Sequence, residues 1–147
     1  MITTTLILLY QKELDKLKDE INAYEAEEQL WKVGEGIANS GGNLCLHLAG
    51  NLQHYIGAIL GESGYIRNRE AEFKIKNMPR ERLLEEISNT KAAVIDTLEQ
   101  LSKKDLDKDY PVQVFGEPMN TEYFLLHLLH HLGYHTGQIN YHRRLVK

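Results

Sequence analysis

The residues of this 147-residue chain whose types and spacing could do chemistry are its histidines. There are seven, and His127, His130, His131, His135 and His142 all fall near the end of the sequence. His131 and His135 are four residues apart. On a helix that spacing puts two Cβ atoms on one face, roughly 5–6 Å apart, close enough for both rings to bind one ion. Neutral imidazole suits borderline divalent metals, zinc or nickel foremost. His127 with His131 has the same spacing, so periodicity leaves two registers open, and His130 lies about 100° away, at an edge. A histidine pair of this kind also arises by chance as buried, hydrogen-bonded side chains, and spacing alone does not separate the two readings. Catalysis by the pair alone is disfavoured, because the sequence sets no Ser, Cys or Asp beside it. A metal needs further ligands, and His47, in a leucine-rich segment, is the best third candidate. His54 follows two helical turns later, roughly 10 Å along the axis, too far to share the ion but able to line the same cavity. Cys45 points about 200° away from His47 and reads as core.

The elements that must position these residues are helices. From about Leu6 to Trp31, Tyr10, Leu14, Leu17, Ile21 and Tyr24 recur every three or four residues among Lys and Glu, which predicts one amphipathic helix. Gly34, Gly36 and the Asn39–Gly42 stretch read as a loop. Ser40 or Asn43 then caps a second helix, apolar over most of its circumference and ending near Gly61 or Gly64. Residues 62–78 have weak periodicity and predict a long, structured crossover loop, a kind of loop that usually has a job. Pro79 opens a third helix with an apolar stripe from Leu83 to Leu101. Residues 110–118, bounded by Pro and Gly, give at most a hairpin or an extended connection. Asn120 or Thr121 caps a fourth helix to about Leu145. The expected fold is all-α: a four-helix bundle spanning residues 1–147 as one domain.

Composition narrows the function classes. The net charge of −4 and the lack of a basic block argue against nucleic acid as a partner. One cysteine allows no internal disulfide, and the first residues form neither a signal peptide nor a membrane span, so the expected location is cytoplasmic with no membrane partner.

The stretch His131-Leu-Gly-Tyr-His135-Thr-Gly137-Gln138 resembles the His-x-x-x-His-x-Gly-Gln signature of the last helix in the DinB/YfiT-like superfamily. Asn43-Leu-Cys-Leu-His47-Leu-Ala-Gly50-Asn51-Leu resembles that family's second helix. The segment Arg67-Asn68-Arg69-Glu70-Ala71-Glu72-Phe73 is similar to a branch of uncharacterised bacterial members. The resemblance implies a four-helix bundle with one long crossover, a three-histidine site for zinc or nickel, and frequent homodimers. It places the ligands on His47, His131 and His135 and leaves His54, His127 and His130 outside the motif. Tyr10, Tyr24, Trp31 and Tyr123 are candidates for a homodimer face, though core packing explains each as well.

Neighbouring residues have expected roles of their own. Gln138 and Asn51, each one turn beyond a ligand, could hydrogen-bond a ligand histidine or a metal-bound water. Gly137 would serve close packing. Arg67 and Arg69 could hold an acidic substrate at the mouth of the site, against the plainer expectation of an ion pair with Glu70 or Glu72. Three histidines leave open coordination positions on a metal. Relatives that act as thiol-dependent S-transferases or as a mycothiol-dependent isomerase imply a metal-dependent enzyme that activates a low-molecular-weight thiol for a small-molecule electrophile. The alternatives are a metal-dependent hydrolase and a non-enzymatic, metal-stabilised binding or stress-response module.

Overall fold

A computed structural model of the protein describes residues 1–146. It is all-helical: α1 (Ile2–Asn22), a 3₁₀ turn (Glu27–Trp31), α2 (Gly41–Leu52) continued by a π-helical segment (Gln53–Ala58), α3 (Arg69–Lys74), α4 (Arg80–Gln100), α5 (Lys103–Asp107) and α6 (Thr121–Leu145). The four long elements form the bundle. α1 packs on α4 and α6, α2 packs on the same two, and α1 and α2 scarcely touch, so they lie on a diagonal. The predicted stripe Tyr10, Leu14, Leu17 and Ile21 is buried, as are Leu48 and Leu52 from α2, Ile56 from the π-helical segment, and Leu125, Leu128 and Leu132 from α6. Cys45 is fully buried and, as expected, faces the core.

The first helix stops at Asn22, short of the expected Trp31. The residues beyond have adequate helical propensity, but packing overrides it. Tyr24 and Trp31 must both enter the core, and Trp31 donates from Nε1 to the carbonyl of Met78 at 3.1 Å. Trp31 lies so close to α2 that a Cβ on Gly42 would sit 2.7 Å from its ring. A continuous helix could not turn both side chains inward. Ser40 caps α2 by accepting from the Asn43 amide at 3.2 Å.

The crossover is not a bare loop. Asn68 caps α3 within it, accepting from the Ala71 amide at 3.1 Å. Asn43 clamps α3 to α2 instead of capping α2, with Nδ2 donating to the carbonyls of Glu72 at 2.9 Å and Ile75 at 2.8 Å. Residues 110–118 form a loop of bends with one turn, in which the Gly116 amide donates to the Gln113 carbonyl at 3.2 Å, and its borders meet in an isolated bridge between Asp109 and Asn120. Asn120 caps α6 by accepting from Tyr123. No helix of the described residues is long and apolar enough to cross a membrane.

Candidate metal centre

His47 on α2 faces His131 and His135 on α6, and one ring nitrogen from each lies within 4.8 Å of the others. The Nε2 atoms of His47 and His131 are 3.2 Å apart. Tetrahedral zinc with Zn–N bonds near 2.0–2.1 Å holds neighbouring nitrogens about 3.3 Å apart, so this pair fits one shared ion. The ring planes of His131 and His135 are nearly perpendicular, as are those of His47 and His135. The rings therefore meet edgewise and do not stack.

Each outer ring face has a reason for its orientation. The Nδ1 of His47 lies 3.2 Å from Glu72 Oε1, so Nδ1–H donates to the carboxylate and Nε2 keeps its lone pair toward His131. Arg67 grips the same carboxylate with two donors, Nε to Oε2 at 2.9 Å and Nη2 to Oε1 at 3.0 Å. The Arg67 Nη2 to His47 Nδ1 distance of 3.4 Å joins two donors and is only a close approach. Burial pushes the Glu72 carboxyl up, but hydrogen bonds from His47 and Arg67 and the Arg67 charge outweigh it and hold it below the usual range. Glu72 reaches this position across Gly50, where a Cβ would lie 1.9 Å from Oε2. On α6, the Nδ1 of His135 lies 2.7 Å from Gln138 Oε1, which accepts, and Gln138 in turn donates to the Tyr134 hydroxyl at 3.3 Å.

The histidines are electrically suited to a cation. Burial lowers the His131 pKa to about 4, aided by the charged forms of His135, His47 and His127 and by Arg67. His135 is lowered by burial and by His47, against the hydrogen bond to Gln138 that raises it. Both rings are neutral at pH 7, with lone pairs free to bind metal. The Nδ1 of His131 is buried without a hydrogen-bond partner among the described residues.

Two clefts border the cluster. His131 lines one of about 210 Å³ together with Asn51, Tyr55, Arg69, His127 and Phe124. His135 and Gln138 line another of about 650 Å³ with Tyr134 and Tyr141.

The chain belongs to the DUF1572 family. The profile of that family, described as a protein of unknown function, matches residues 6–147. Among solved structures, the fold is similar to a conserved protein from Enterococcus faecalis, at 16% identity and a TM-score of 0.78, covering 99% of this chain and 97% of that one. It is also similar to a DinB-like protein from Bacillus cereus, at 18% identity and a TM-score of 0.74, covering 95% and 89%. No curated protein matches significantly. For this DUF1572 chain, the expected all-α bundle with a long crossover is the fold observed.

The expected site residues separate into groups. His47, His131 and His135 come together, Gln138 contacts a ring of the cluster, and Asn51, Arg67, Arg69 and His127 border the first cleft. His54 is absent from that cleft's walls. The helix widens at Gln53, so heptad spacing no longer returns His54 to the face of His47, and it packs on Tyr55 instead. Gly137 serves no packing among the described residues, since a Cβ there would meet nothing within 4 Å. Tyr10, Tyr24 and Trp31 are buried in the core, and only Tyr123 of the four aromatic candidates for a dimer face is exposed. His142 is structural, with Nδ1 2.6 Å from the Tyr24 hydroxyl and Nε2 2.8 Å from the carbonyl of Lys32.

Glu72 is the participant whose role the sequence did not reveal. It looked like one end of a surface ion pair, and its ion pair with Arg67 is real, but the carboxylate is buried and also holds His47. The only trace in the sequence was Gly50, a glycine inside an apolar helix three residues after His47.

Proposed function

We propose that this domain, residues 1–147, is a metal-dependent enzyme in which His47, His131 and His135 hold one divalent ion, zinc or nickel, and that it transfers a low-molecular-weight thiol to a small electrophile. The observation that carries this reading is the 3.2 Å approach of the His47 and His131 Nε2 atoms, a separation matched to two ligands of one ion. A bound ion supplies Lewis acidity, lowering the pKa of a thiol or water placed in an open coordination position.

The chain's own residues do the rest. Glu72 fixes the His47 tautomer, and Gln138 does the same for His135, so both Nε2 atoms present lone pairs. Arg67 keeps Glu72 ionised, which raises the basicity of His47 as a ligand. Burial keeps His131 unprotonated. The two clefts on either side give separate approaches for a thiol and an electrophile, a need that hydrolysis, with water as second reactant, does not have.

Elemental analysis of the purified protein is the first test, and about one zinc or nickel per chain is expected. A conjugation screen with bacillithiol, mycothiol, glutathione and cysteine against small electrophiles then follows. Protein that neither contains nor takes up stoichiometric metal refutes the reading. A metal whose removal unfolds the chain, with no turnover by the loaded protein, favours the structural alternative. The exposed side chains of Tyr123, Leu126, Tyr134 and Tyr141 along α6 support the proposal that the domain pairs as a homodimer.

A further inference from the structure

The cleft beside His131 has features that the metal ligands do not explain. Arg67 and Arg69 both border it, but only Arg67 is spent on Glu72. Arg69 is exposed and rests over the Phe73 ring at 5.3 Å, with no hydrogen bond or ion pair among the described residues. With Arg67 paired to Glu72, Arg69 is the guanidinium of the cleft left without a carboxylate partner among the described residues. Asn51 is only 7% exposed, and its Oδ1 is buried without a hydrogen-bond partner among the described residues. A buried amide left unpaired is costly, and here it borders a space that a ligand can occupy. Val114 and Phe115 supply the apolar part of the lining, with Phe115 53% exposed and resting on the buried Phe124 ring. At about 30 Å³ per water, the volume of the cleft admits a ligand of fragment size only.

We propose that this cleft binds a small carboxylate that carries an amide and an apolar group. The carboxylate sits on the Arg69 guanidinium, the amide pairs with the Asn51 side chain, and the apolar group lies against Phe115 and Val114. An amide partner satisfies Asn51 in either orientation of its side chain, since each group offers one donor and one acceptor face. The inference rests on the metal reading only for which end of the ligand reacts; recognition needs nothing but side chains.

The test uses the full-length, metal-free protein, so that direct carboxylate–metal bonding cannot imitate Arg69. N-benzoylglycine and its neutral counterpart N-benzoylglycinamide are titrated by calorimetry and by amide chemical shifts. N-benzoylglycine should shift residues around Arg69, Phe115 and His127. It should bind about two- to fivefold more tightly than the neutral amide, the range for an exposed guanidinium–carboxylate pair. Arg69→Gln should erase that preference and leave binding of the neutral amide unchanged, while Asn51→Ala should weaken both ligands. Equal binding of acid and amide overturns the proposal. So do an unchanged preference in Arg69→Gln, shifts confined to the cleft at Tyr134 and Tyr141, and no binding at all. Zinc uptake is measured on the same preparations. Zinc binding without carboxylate preference refutes this inference alone, and carboxylate preference without zinc binding refutes the metal reading alone.

Discussion

Replacing Gly50 with alanine tests the role of Glu72 without touching any ligand. The new Cβ would lie 1.9 Å from Glu72 Oε2 and 2.6 Å from its Cδ. The carboxylate is the end of a flexible side chain, so it swings aside and the backbone stays. What is lost is hydrogen bonding: Glu72 accepts from His47 and twice from Arg67, in a setting where both Glu72 and Arg67 are largely buried. Bonds to a charged group are worth about 1.5–3 kcal/mol each, and losing one or two of them outweighs the roughly 1 kcal/mol gained by removing a glycine from a helix interior. The net expectation is a destabilisation of about 1–4 kcal/mol, seen as a fall of several degrees in Tm. Metal affinity should fall about 10- to 100-fold, because His47 loses the partner that sets its tautomer and raises its basicity. Thermal unfolding of metal-free protein and calorimetric titration with zinc read the two effects separately. A Gly50→Ala protein that binds zinc like wild type and melts at or above the wild-type temperature would refute the assignment of Glu72.

Other perturbations give separate readouts. His131→Ala should abolish stoichiometric metal binding while leaving the helical circular dichroism of the metal-free protein intact. The His142 pKa is lowered from 6.5 by burial, against the hydrogen bond to Lys32 that raises it, so protons bind the unfolded chain more readily. That contribution to stability is complete above about pH 6.5 and is lost as pH falls through the window down to the folded value. Urea midpoints of wild type and His142→Gln at pH 7.5 and 5.5 should show a smaller acid-dependent loss in the variant. Leu52→Ala, at a fully buried position, should cost about 2–5 kcal/mol in denaturant unfolding without altering zinc stoichiometry.

The sequence by itself determined the helices that carry the candidate site and the clustering of histidines on the last of them. Period-3.6 apolar spacing is local, so α6, α4 and most of α2 were legible residue by residue. The four-residue step from His131 to His135 fixed two rings on one face wherever that helix ended up. The register and the pairing with His47 came from resemblance, since spacing treats His127 and His135 alike. Tertiary structure decided the rest. Whether α1 continues past Asn22 depended on where Trp31 had to go. Whether Arg67 met substrate or Glu72 depended on α3 being clamped across α2 by Asn43. The carboxylate that holds His47 is 25 residues away in sequence, and no local periodicity links the two. Helical faces are set by neighbours in the chain. The proton on His47 Nδ1, the partner of Arg67 and the exclusion of His54 are set by which elements pack together.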